Sequence, residues 1–336
     1  MRAMILPKIV SLDDTEEPLH LADLPRPIPR AREILIQVSA CGVCHTELDE
    51  IEGRVMPPIL PIVPGHQVVG RVVEKGKRVT RHKLGDRVGV GWIHSSTGEK
   101  DENLSERFCA TGCHANGGYA EYMKVGEHYA YPLPEVFGDA EAAPLLCAGA
   151  IGYRALRLCN LSDGDSLGLM GFGGSAHIVI QLALYCYPNS KICVFARKPE
   201  IRAFAGDLGA HWTGDVGERP PMALKAIIDT TPAWRPVLKG LANLLPGGRL
   251  VVNAIRKEDA DKAELLQLSY HRHLWMEREI KSVANITSYD IAAFLPMAAE
   301  IPVKSRVVIY PLEAANRAIT DLKRARVRGA AVLIIR

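Results

Sequence analysis

Three short segments in the first 150 residues carry side chains able to do chemistry. They are Cys41-Gly-Val-Cys44-His45-Thr46-Glu47, Pro64-Gly65-His66-Gln67 and Pro144-Leu-Leu-Cys147. Thiolates and imidazoles suit borderline-soft metal cations, and a C-x-x-C pair can also exchange a disulfide. The redox reading needs the pair at a helix start inside a thioredoxin-like βαβ unit, whereas this pair follows a strand in a β-rich stretch. Taken singly, His66 can also be a hydrogen-bonded loop histidine and Cys147 a buried cap. Of the other cysteines, Cys159, Cys186 and Cys193 lie in or beside apolar stretches. Those three read as core fillers, because a free cysteine behaves as a small hydrophobe.

A second chemistry sits in Gly171-Phe-Gly173-Gly174-Ser-Ala176, which fits G-x-G-x-x-G/A. The segment follows a strand-like run and opens a helix-like one, the context this motif requires. Gly171 makes the tight turn, and Gly173 with Gly174 lets a pyrophosphate approach the backbone. Ala176 allows close helix–strand packing, and the helix start offers free N–H groups to the anion. The reading is dinucleotide binding. An NAD site places Asp or Glu about 20 residues further on, to accept from the ribose 2′-OH. That count reaches Ala196, followed by Arg197 and Lys198. A small residue leaves room for a 2′-phosphate that the two cations can bind, so NADP is expected over NAD. The plainer alternative is two solvated cations at a strand end.

The elements that must hold these residues differ along the chain. Residues 33–40, 68–73 and 85–91 read as short strands between Gly and Pro, an irregular all-β pattern. Residues 139–158 are Ala/Leu-rich and helical in character. Strand-like runs at 166–170, 191–196, 226–229, 249–254 and 280–284 then alternate with helix-like runs at 175–187, 201–208 and 237–245. Helical patterns at 289–299 and 313–323 precede a closing strand at 330–335. Such alternation implies βαβ units and a parallel sheet. The fold class is α/β: a β-rich first domain, an inserted doubly wound domain and a C-terminal return.

A length of 336 residues suits about two domains. The formal net charge is only +3 and no long run of one sign occurs, which argues against a nucleic-acid tail or a polybasic membrane patch. No apolar run approaches the roughly 20 residues that span a bilayer. Pro7 and Lys8 interrupt the first ten residues, so these do not read as a secretory signal. A cytoplasmic protein with reduced cysteines is expected.

Together, CGVCHT (41–46), PGH (64–66), GDRV (85–88), GGYAEY (117–122) and the glycine turn resemble the zinc-dependent medium-chain alcohol dehydrogenases. The resemblance runs in order over essentially the whole chain. It implies a GroES-like catalytic domain (1–149 and 287–336) and a Rossmann-type domain (150–286). It further implies zinc on Cys44, His66 and Cys147, with Cys41 a packing residue. Thr46 would pass the alcohol proton, Glu47 would orient the zinc histidine, and Trp92 would line the substrate pocket. A Cys₂His zinc with an open position can polarise a carbonyl oxygen, and a nicotinamide exchanges hydride with the polarised carbon. The implied partner is a small alcohol, aldehyde or ketone, and the implied assembly a homodimer or homotetramer.

Three departures matter. Gln67 replaces the usual Glu after the PGH histidine. Asp49 stands where the proton relay often ends at a histidine; a carboxylate is in general a poor proton shuttle at neutral pH, so the proton is expected to leave through water or another group. The lobe that usually carries four cysteines for a structural zinc here offers only His94, Cys109, Cys113 and His114. Its 95–107 segment (SSTGEKDENLSER) reads as a shortened, solvated, charge-rich loop. One catalytic zinc per chain and no structural zinc are expected. Two rivals remain: a zinc-free NADPH-dependent quinone or enoyl reductase, which lacks the Cys44–His66–Cys147 set, and a catalytically inactive dinucleotide-binding protein.

Overall fold

Glu33–Val43 is the central strand of the first half of the chain in a computed structural model that describes residues 1–301 and 303–336. It pairs antiparallel with Val68–Lys75, Tyr122–Gly126 and Ala330–Ile334, so the C-terminal strand returns to the N-terminal sheet. Ile34, Leu35 and Ile36 are all fully buried. Both faces of this strand are covered, and for that reason its sequence alternates only in part. Arg87–Val90, Tyr131–Pro132 and Val307–Pro311 complete a seven-stranded sheet. The unit comprises Met1–Ala150 and Asn285–Arg336.

Ile151–Ala284 forms a second unit. Its parallel sheet runs Trp212–Gly214, Lys191–Phe195, Ser166–Met170, Leu224–Asp229, Leu244–Val252, Glu279–Ser282. In order of appearance this is 3-2-1-4-5-6, the doubly wound dinucleotide order. Met170, Cys193, Phe195, Ile227, Leu241 and Leu250 share its core, with Cys193 a filler as its apolar neighbours suggest. No helix among the described residues is long and apolar enough to cross a membrane.

Three local readings change. The helical stretch 139–158 is broken into Asp139–Ala142, a 3-10 turn Ala143–Leu146 and Ala148–Leu158, with Cys147 at the break (φ −127°, ψ −78°). Pro144 has no N–H to donate and cannot continue the first helix. Trp212–Gly214 is three residues long, too short for a periodic signal, and exists through its parallel register with Cys193–Phe195. The 95–107 loop is not solvated throughout: Glu102 and Asn103 are 1% and 3% exposed. Partners distant in sequence, described below, draw them inward.

Candidate active site

Cys44 ends the long strand's run and caps the helix His45–Ile51. Its Sγ accepts from Thr46 N at 3.4 Å, and its own backbone N donates to Glu47 Oε2 at 2.8 Å. This is a capping box with cysteine in the serine position. The other Glu47 oxygen lies 2.7 Å from His66 Nδ1, and both side chains are essentially inaccessible. One carboxylate thereby sets the backbone of Cys44 and the ring of His66. A Cβ at Gly42 would stand 2.5 Å from Gln67 Oε1, so a larger residue there must displace the Gln67 side chain. Gly65, at φ +97°, is more tightly constrained: a Cβ would press on the Tyr119 ring and sit 2.9 Å from Cys41 Sγ. Cys41 is fully buried against these glycines as a packing residue.

His66 Nε2 faces two sulfurs, Cys44 Sγ at 3.5 Å and Cys147 Sγ at 3.2 Å. The three donor atoms lie within 4.8 Å of one another, and no other His/Cys/Asp/Glu group among the described residues converges in this way. An ion held tetrahedrally at about 2.3 Å from sulfur and about 2.0 Å from nitrogen spaces S and N about 3.5 Å apart, so the donor set fits zinc. Hydrogen bonding to Cys147, then burial, push the Cys44 thiol well above its ordinary value. For His66, burial opposes protonation, but Glu47 and Cys44 outweigh it and raise the ring's pKa.

Thr46 is half-buried two residues from Cys44. Asp49 is 2% exposed, and its Oδ1 accepts from Arg54 Nε at 2.6 Å. Gln67 is buried with its Nε2 unpartnered. Trp92 stands edge-on to His66, ring centroids 4.9 Å apart at 78°, and its Nε1 donates to Asn285 Oδ1 at 2.9 Å. His94, Cys109, Cys113 and His114 form no converged donor group among the described residues. Sequence reasoning missed two residues here. Glu50 is 1% exposed with neither oxygen partnered, and burial, then Glu47, push its carboxyl up. Its spacing of three from Glu47, one helix face, was the available signal. Asn285 carried none.

In the second unit Gly171 turns at φ +80°, where a Cβ would lie 2.8 Å from Thr230 Oγ1. Gly173 and Gly174 have open space on their side-chain sides. The helix Ala176–Cys186 starts with no side-chain cap, and the N–H groups of His177 and Ile178 donate to the carbonyls of Gly173 and Ser175. Ala176 is fully buried, as close packing demands. Ala196 is buried at the end of Lys191–Phe195, whereas Arg197 and Lys198 are exposed. Arg202 Nη1 donates to the carbonyls of Ala196 and Arg197, adding a third cation at this strand end.

Residues 30–135 match the family described as "Alcohol dehydrogenase GroES-like domain". A Mycobacterium tuberculosis protein named "Probable alcohol dehydrogenase AdhA" is 41% identical over 323 residues, covering 93% of this chain and 91% of its own. An alcohol dehydrogenase of Moraxella sp. is 30% identical over 341 residues, covering 97% and 98%. The solved cinnamyl alcohol dehydrogenase SbCAD4 from Sorghum bicolor aligns with a TM-score of 0.84 at 25% identity, covering 99% and 97%. The fold is thus α/β, a GroES-like unit joined to a doubly wound parallel sheet. The chain belongs to the alcohol dehydrogenase family.

Proposed function

We propose that the chain is a zinc- and nicotinamide-dependent dehydrogenase that interconverts small alcohols with aldehydes or ketones. The observation that carries this reading is the convergence of Cys44, His66 and Cys147 on one point. Cys44, His66 and Cys147 would hold the zinc, with Glu47 keeping His66 in the tautomer that presents Nε2. When bound, zinc supplies a Lewis acid at the substrate oxygen and the nicotinamide supplies or accepts hydride. The Thr46 hydroxyl can accept the alcohol proton and donate its own, moving charge away from the substrate oxygen. Asp49 is held by Arg54, which supports a proton exit from Thr46 through water or another group in place of Asp49.

On the cofactor side, the tight turn at Gly171 and the open space beside Gly173 and Gly174 support pyrophosphate binding against the backbone at this helix start. Arg197, Lys198 and Arg202 beside a buried Ala196 support NADP over NAD. The single converged donor group among the described residues supports one zinc per chain. The edge strand Glu279–Ser282, with Ile280 47% exposed, supports a homo-oligomer in which a second copy covers that edge. Eight free cysteines suit a reducing, cytoplasmic setting. The experiment is a screen of alcohols and aldehydes with each coenzyme, read by nicotinamide absorbance, beside elemental analysis. Turnover lost on metal removal and restored by zinc supports the reading. Full turnover in metal-stripped protein, or nearly two tightly held zincs per chain, counts against it or its stoichiometry.

A further inference from the structure

Asn285 adopts a left-handed backbone, φ +54°, a conformation that asparagine tolerates better than most residues but that still needs support. Its side chain supplies that support in two directions. Oδ1 accepts from Trp92 Nε1 at 2.9 Å, and Nδ2 donates to the carbonyl of Asn103 at 3.0 Å. Asn103 is itself anchored, because its neighbour Glu102 gathers the lobe around one buried carboxylate. Glu102 Oε2 accepts from Gly98 N and the Tyr129 hydroxyl, both at 3.1 Å, and Oε1 accepts from Ser288 N at 2.6 Å. Ser288 begins the helix Ser288–Glu300, which Thr287 and Asp290 close with a capping box. Residues 285–290 are therefore tied to the 95–107 lobe at two points, and one of them ends on the indole that meets His66.

We propose that Asn285 is a positioning residue for substrate selectivity: by tying the Trp92 indole to the Asn103 carbonyl, it fixes the ring edge-on to His66 and so sets the room beside Cys44, His66 and Cys147 for the substrate's carbon chain. The selectivity half rests on the dehydrogenase reading; the link between Asn285 and Trp92 does not. Without the hydrogen bond the ring is free to rotate about its own side-chain torsions, and the space it borders changes shape.

The test uses Asn285→Gly, which suits a positive φ and deletes both hydrogen bonds, together with Trp92→Phe and the double variant. The signal of Trp92 among the four tryptophans is isolated by subtracting the emission of the matching Trp92→Phe protein. Acrylamide quenching of that difference signal should rise in Asn285→Gly, with zinc content as in wild type. Over a series of alcohols of increasing bulk, the ratio of kcat/KM for bulky to small substrates should shift about tenfold, carried by KM. In the Trp92→Phe background, Asn285→Gly should shift it no further. Unchanged quenching, an unchanged ratio, or a shift that persists without the indole overturns the proposal. A wild type that turns over no alcohol defeats the dehydrogenase reading and with it the selectivity claim, while the quenching comparison still decides whether Asn285 holds Trp92.

Discussion

Glu47 lies 2.7 Å from His66 Nδ1 through one oxygen and accepts the backbone N–H of Cys44 at 2.8 Å through the other. Two of the three converged donors are thus oriented by one buried carboxylate, which comes from the same helix turn that Cys44 caps. Outer partners of this kind tune a metal site nearly as strongly as the ligands do.

Replacing Glu47 with Gln should lower zinc affinity about 10- to 100-fold, because the amide has lost the charge that holds the His66 tautomer. Competition against a chelator of known affinity reads this directly. Affinity equal to wild type would show that His66 is held by packing alone.

Cys44→Ser removes a thiolate and should cost more than the about 100-fold that outer partners cost at metal sites. Most zinc and nearly all turnover should be lost, while circular dichroism stays close to wild type. Metal content and kcat/KM measured on one preparation check both, and a fully active Cys44→Ser protein would remove the trio from the mechanism.

At the end of Lys191–Phe195, Arg197→Ala should reduce kcat/KM for NADPH about 10- to 100-fold, the worth of a hydrogen bond to a charged group. NADH should be little affected. A wild type that prefers NADH, with that preference unchanged in Arg197→Ala, contradicts this.

His177 is 3% exposed, beside the carbonyl of Gly173, and burial lowers its pKa. The unfolded chain titrates this group near its ordinary value of about 6.5, so below that pH the unfolded state binds more protons than the folded one. Stability attributable to His177 is therefore intact above about pH 6.5 and declines as pH falls through it toward the lowered folded value. Melting temperatures across about pH 8 to 5 should fall on the acid side, less steeply in His177→Gln. Parallel profiles for the two proteins would assign the loss to other groups.

Glu102→Ala leaves Tyr129 OH, Gly98 N and Ser288 N without their shared acceptor. The expected cost is about 2–4 kcal/mol, with Glu102→Gln losing less. Denaturant unfolding measures it, and a cost within about 0.5 kcal/mol would place Glu102 with the solvated surface charges.

Local patterns in the sequence determined the dinucleotide half almost by themselves. A tight turn, a helix start and strands separated by helices each report on neighbouring residues, so 166–176 is readable without knowing what lies beside it. The first half was legible as motifs but not as a site. C-x-x-C, PGH and a lone cysteine each admit a plain reading, and His66 and Cys147 are 81 positions apart when they meet at 3.2 Å. Only the tertiary fold, with the helical stretch broken after Pro144 so that Cys147 sits between two helical pieces, brings them together. The charge-rich 95–107 loop misled for a related reason. Charge patterning reports average solvation, whereas Glu102 is buried by partners as far as 186 positions away. Asn285 had no sequence signal at all, because its role consists of two long-range hydrogen bonds and a backbone angle that tertiary contacts alone hold in place.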